Sequence, residues 1–132
     1  MTTDRSNDYL AGLVRELCKQ PAETEWLEFK QNNAEPQEIG EYLSALANSA
    51  ALCGKAFAYL VWGVENGAHT LVGTTFSPQA AKVGGEELEN WLLRSLSPKI
   101  HFHFHPVEVD GYPLVLLEIG RAFRHPVQFQ NQ

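Results

Sequence analysis

Between Asn7 and Gln20, Leu10, Leu13, Val14 and Leu17 recur at the three- and four-residue steps that line one face of a helix. Ser6 or Asp8 can cap its start, and Pro21 ends it. The pattern then changes to period two. From Trp26 to Gln31, Leu27 and Phe29 point one way and Trp26, Glu28 and Lys30 the other, which predicts a short strand. A polar loop, Gln31 to Glu35, leads to a second helix. Pro36 suits its first turn, Glu38 and Glu41 complement its N-terminus, and Ile39, Leu43, Leu46, Ala47 and Ala50 form its buried stripe, with Gly54 as the stop. Ala56 to Val64 is nearly all apolar, the mark of a central strand covered on both faces. Asn66-Gly67 signals a tight hairpin with His69 to Gly73 as the return strand.

Gly84-Gly85 precedes a third helix carrying Leu88, Trp91, Leu92 and Leu96 on one side, and Ser97-Pro98 closes it. His101 to Val109 alternates, Asp110-Gly111 turns the chain, and Pro113 to Ile119 is the partner strand. Helices interleaved with two hairpins predict an α+β (mixed α/β) fold, with a single mixed sheet packed against about three helices. There is no internal repeat, low-complexity segment or linker, so residues 1–132 are expected to form one domain.

Composition narrows the partners. The chain has 132 residues, 44% of them hydrophobic and 20% charged, which suits a globular core and excludes a disordered tail. Its net charge is −6, which excludes a histone-like protein basic over its whole surface but leaves room for a local basic patch. Cys18 and Cys53 form no disulfide framework; both fall in apolar helical patterns and are expected to be buried free thiols, as in a reducing cytoplasm. The first ten residues lack a secretory pattern, and the longest apolar run is about half the length that spans a bilayer.

Four groups carry candidate chemistry. Glu28 and Lys30 share a strand face, where a carboxylate and an ammonium can hold a divalent cation and offset phosphate charge, with Glu23 near enough to add an oxygen ligand; the plainer reading is a solvated ion pair. Glu65 ends the central strand, where sites are often built, or merely faces water at a hairpin corner. His101, His103 and His105 lie on one face of their strand, a spacing that can ligate zinc, or else form the exposed half of a strand whose Phe102 and Phe104 enter the core. Lys55, Lys82, Lys99, Arg121 and Arg124 are scattered cations, of which Arg121, Arg124 and His125 cluster beside aromatics as a phosphate site would. Gly84-Gly85 before a helix hints at an anion site.

Taken in order, several of these segments resemble one family. Glu23-x4-Glu28-Phe29-Lys30, the helix Ile39-Gly-Glu-Tyr-Leu-Ser-Ala-Leu-Ala-Asn48-Ser, Tyr59-Leu-Val-Trp-Gly63-Val64-Glu65 and Leu71-Val-Gly73-Thr follow the pattern of the Schlafen-type AlbA-like domain. The helix Glu86-Glu-Leu-Glu-Asn-Trp-Leu and Ser97-Pro-Lys-Ile also look like its bacterial members, and the likeness covers roughly residues 20 to 129. The resemblance implies a mixed α/β DNA-binding domain, usually the N-terminal module of a longer bacterial transcriptional-regulator-like or ATP-binding protein. The group usually continues into a strand bearing Arg-x-Gly-Ser, which does not occur before Gln132, so a fragment with downstream domains is expected.

Three readings follow. In the first, a nucleic-acid-binding module contacts phosphates through Lys30, Lys55, Arg121 and Arg124. In the second, likeness to animal Schlafen endoribonucleases implies an acidic triad at Glu23, Glu28 and Glu65, where the family more often has Asp at the third position. That triad would hold Mg²⁺ or Mn²⁺, with Lys30 offsetting charge on the scissile phosphate. In the third, the acidic surface and the apolar strand serve as a dimerisation module within a larger regulator.

Overall fold

A computed structural model describes residues 2–21 and 24–130. Its elements run α1 (Thr2–Leu17), β1 (Leu27–Lys30), α2 (Pro36–Leu52), β2 (Phe57–Trp62), β3 (Lys82–Val83), β4 (Glu86–Glu87), α3 (Leu88–Ser95), β5 (Leu96–Ser97), β6 (Phe102–Val109), β7 (Tyr112–Gly120) and β8 (Gln128–Phe129). The expected α+β class is present: a four-stranded mixed sheet in the order β1-β2-β7-β6, with two small two-stranded ribbons, β3-β4 and β5-β8.

Period-two alternation sorts the side chains between the two sheet faces. Leu27 and Phe29 of β1, Val61 of β2, Leu114 and Leu116 of β7, and Val107 and Val109 of β6 pack with Ala11, Val14 and Leu17 of α1. The alternate residues, Ala58, Leu60, Trp62, Val115, Leu117, Ile119 and Phe104, pack beneath Ile39, Leu43, Leu46, Ala47 and Ala50 of α2 and Leu88 and Leu92 of α3. The sheet is therefore covered on both sides, which is why β2 reads as an unbroken apolar run. Trp62 is fully buried between Phe76 and Phe104, and its indole N–H is satisfied by the Asn33 carbonyl at 2.8 Å.

The second helix starts as the sequence predicts. Glu35 adopts the extended N-cap conformation, its carboxylate accepts from the Glu38 N–H at 3.1 Å, and Pro36 takes the first helical position. The helix stops at Cys53, followed by Gly54 at φ +70°. The Asp110-Gly111 hairpin is equally direct: both residues have positive φ, the twist that matches paired strands.

Four expectations are corrected. The return strand at His69 to Gly73 is reduced to one bridge between Val64 and Leu71. Val72 and Gly73 both donate their N–H to the Gly63 carbonyl, and Gly63 at φ +103° turns the chain out of the ladder. Gly84-Gly85 does precede α3, but the hint of an anion site there is corrected: the glycines turn the β3-β4 ribbon, and α3 begins after Glu87 without a side-chain cap. Leu96, expected on the face of the third helix, instead leaves it and pairs with Phe129 in the β5-β8 ribbon, whose strand β8 carries no alternation long enough to announce itself. Of the two thiols, Cys18 is half-buried and Cys53 exposed. Among the described residues no helix is long and apolar enough to cross a membrane.

Candidate functional site

The parallel ladder pairs Glu28 with Leu60, Phe29 with Val61 and Lys30 with Trp62, so the Glu-Phe-Lys segment does lie beside the hydrophobic central strand. Its edge position leaves Glu28 and Lys30 on the face shared with α2. Lys30 Nζ sits 4.9 Å from the centre of the Tyr42 ring. Contact with the Tyr42 hydroxyl, and then the charges of Glu38 and Glu28, hold this ammonium above the ordinary lysine range. Lys30 is thus an engaged cation, with carboxylates around it.

Glu65 follows β2 and serves its own turn. Its carboxylate accepts from the Ala68 N–H at 2.7 Å, while its backbone N–H donates to the Thr70 carbonyl. The same loop carries His69, whose ring lies 4.4 Å from that of Phe29 and whose Nδ1 is 3.0 Å from the Cys18 carbonyl, tying the loop to the end of α1. Glu23 lies outside the described residues. Among the described residues no three His, Cys, Asp or Glu side chains gather as metal ligands would. Without Glu23, the described carboxylates do not by themselves make an Mg²⁺ or Mn²⁺ site, and one of them, Glu65, already has a backbone partner.

The three strand histidines separate. His103 and His105 stand side by side, ring centres 4.4 Å apart, and His105 Nε2 is 3.5 Å from Glu118 Oε1 on β7. Glu118 is the carboxylate that sequence spacing did not supply. It faces His103 across the β6-β7 ladder and Tyr59 across β2-β7, and only the strand register reveals it. Burial first, then the nearby Glu118 and Tyr9, push the Tyr59 phenol up to about 12.

The cations gather at the other end of the sheet. Arg121 follows β7, and its N–H donates to the carbonyl of Ala56, which follows Lys55. The Lys55 ammonium lies 4.9 Å from the centre of the Trp26 ring, so it shares this end but sits on an aromatic support. Beside Arg121 opens a cleft of about 480 Å³, walled by Asn48, Ala51 and Leu52 of α2 and by Arg121, Arg124 and His125. No acidic residue lines it among the described residues. Arg15, Lys19 and Arg94 pair with carboxylates, whereas Arg121 and Arg124 have no ion-pair partner among the described residues. Lys99 is spent on the carbonyls of Leu93 and Leu96 at the end of α3.

Asn48 builds this cleft. Its amide donates to the Val127 carbonyl at 3.1 Å and accepts from the Val127 N–H at 2.8 Å, fastening the Arg121–Pro126 loop to α2. The N–H of Ala122 donates to the Ala47 carbonyl and adds a second fastening. Sequence reasoning identified the Ala-x-Ala-Asn helix as a pattern but not Asn48 as the residue that shapes the cationic loop. Its partner is 79 residues away.

Among known proteins, the family described as "Schlafen, AlbA_2" matches residues 23–132. A search of curated proteins finds no match. Among solved structures, the chain is similar to the DIP2311 protein from Corynebacterium diphtheriae. The two share 15% identity with a TM-score of 0.47, over 85% of this chain and 23% of that one. This chain therefore spans about a quarter of the length of that protein.

Proposed function

The chain belongs to the Schlafen, AlbA_2 family, and on that premise we propose that it is a nucleic-acid-binding domain whose contact surface is the cationic end around Lys55, Arg121 and Arg124. One observation carries the choice of surface: two arginines without ion-pair partners among the described residues line an acid-free cleft, in a chain of net charge −6. Elsewhere that charge repels phosphate, so a polyanion is favoured at the cleft whose described lining carries arginines and no acid. Guanidinium groups suit phosphate oxygens because they present paired donors in a plane. The contacts are to backbone phosphates, which position a nucleic acid without reading its sequence. We further infer DNA as the ligand and a regulator-like protein as the larger polypeptide, in keeping with the family's character.

The test is electrostatic. Three cations meeting phosphates predict that log affinity falls with log salt at a slope of about −2 to −3. Anisotropy titrations with a labelled oligonucleotide between low and physiological salt measure it. Arg121→Ala combined with Arg124→Ala is expected to weaken binding about tenfold or more at low salt, with an unchanged melting curve. Binding that ignores salt, or that survives the double substitution, would overturn the assignment. A parallel incubation of transfer RNA with Mn²⁺ addresses cleavage, where loss of product in Glu28→Ala would be needed to support a metal-dependent role.

A further inference from the structure

The loop that walls the cleft also carries an aromatic ring where burial would be expected. Phe123 is 71% exposed, although Ala122 and Val127 of the same loop are buried. Exposing a phenylalanine forfeits the favourable transfer of its ring out of water, so its neighbours need another explanation. The His125 N–H donates to the Phe123 carbonyl at 2.9 Å, and the residue between them, Arg124, has φ +75°. A three-residue turn closed in this way with a positive central φ is the rare and strained form of γ-turn. It throws Phe123 and Arg124 outward together, with the guanidinium carbon 5.4 Å from the centre of the Phe123 ring. Loop fastening through Asn48 holds this arrangement against its strain.

A duplex presents phosphates outside and keeps its bases stacked within, so a protruding ring gains little from it. An unpaired strand offers base faces beside its phosphates, and every base has a face that stacks on an aromatic or guanidinium plane. We propose that the Phe123–Arg124 turn is a stacking platform for an unpaired nucleobase, which makes single-stranded nucleic acid the preferred ligand of the cationic end. The proposal rests on the nucleic-acid reading above. In it, Arg121 and Arg124 hold the flanking phosphates, and the base lies on Phe123 or on the guanidinium that already covers it.

Four probes of equal length separate the terms: a single-stranded DNA, the matching RNA, the DNA duplex, and an abasic DNA strand that keeps the phosphates without bases. The single strands are expected to bind about fivefold or more tighter than the abasic strand. Phe123→Ala should abolish that advantage while leaving the salt slope and the duplex affinity unchanged, and Phe123→Trp should restore it. Because Phe123 is exposed, the variants should melt with the wild type, which calorimetry checks. The DNA and RNA arms identify which sugar the site accepts. Equal binding to abasic and base-bearing strands, or a preference for duplex, would overturn stacking while leaving phosphate binding in place. Failure to bind any probe at low salt would overturn both readings.

Discussion

Arg124 occupies a conformation that L side chains adopt at a cost of about 1–2 kcal/mol, because Cβ crowds the following carbonyl. Arg124→Gly removes that crowding but loosens the unfolded chain by about 0.5–1 kcal/mol. A melting temperature equal to or slightly above that of the wild type is therefore expected, together with an affinity for nucleic acid lowered about fivefold or more. A marked fall in melting temperature would mean that the turn is unstrained. Tyr59 provides a second residue-scale test. Its phenol is held near 12, whereas in the unfolded chain it ionises near its usual value of about 10. Below the unfolded value both states are protonated and the folded preference for neutral phenol is fully present. As pH rises from there through the folded value, the unfolded state loses its proton first and stability falls. The ring is only about half-buried, so solvent reduces the effect to about 1 kcal/mol. Urea unfolding at either end of that window should show a shallower alkaline loss in Tyr59→Phe than in the wild type. Parallel losses would contradict the assignment.

At the scale of elements, Gly40 is where α2 meets β8. A Cβ built there would run into the ring of Phe129, which is buried and packs edge-on against Trp91. Gly40→Ala gains up to about 1 kcal/mol in helix propensity but overpacks the contact by about 1–3 kcal/mol, so a net loss of stability is expected. The helical Gly12 of α1 meets nothing within 4 Å, and Gly12→Ala should instead stabilise by about 1 kcal/mol. Thermal melts of the two variants should move in opposite directions. A shared direction would mean that propensity alone governs both sites. The α2 stripe was legible as Ile39, Leu43, Leu46, Ala47 and Ala50, because helical periodicity is written in the local sequence. The need for glycine at position 40 was not legible, since the reason for it is a ring about 90 positions away in β8, at Phe129.

At the scale of the whole molecule, the decisive feature is separation of charge along the sheet. Lys30 pairs with Trp62 at one end of β2, while Arg121 follows Gly120, the partner of Phe57 at the other. Five strand steps put the two positions roughly 17 Å apart along β2. That exceeds the screening distance of about 8 Å at physiological salt. Lys30 is also flanked by Glu28 and Glu38, whose charges act against its field. Lys30→Ala is therefore expected to change affinity by less than about twofold, whereas Arg121→Ala should lower it several-fold. Equal effects in the same titration would place the ligand along the full length of β1 and β2. The outer edge of the sheet is managed at this scale too. Asn7 of α1 bonds both the N–H and the carbonyl of Glu108 on β6, and Pro106 offers no N–H, so the Pro106–Glu108 end of that edge is closed to another strand.

Sequence alone determined the elements with their own punctuation: the Pro36 helix start, the buried β2 run and the Asp110-Gly111 turn. Each depends on residues within a few positions of one another. It also singled out the Glu28-Lys30 pair, the histidine strand and the Arg121-Arg124 cluster as chemistry worth placing. Tertiary structure decided how these relate. It set Lys30 far from the arginines, brought Glu118 to His105, and used Asn48 to hold the Arg121–Pro126 loop against α2. Those relations are set by strand register and by contacts between distant segments, and local periodicity carries no information about either.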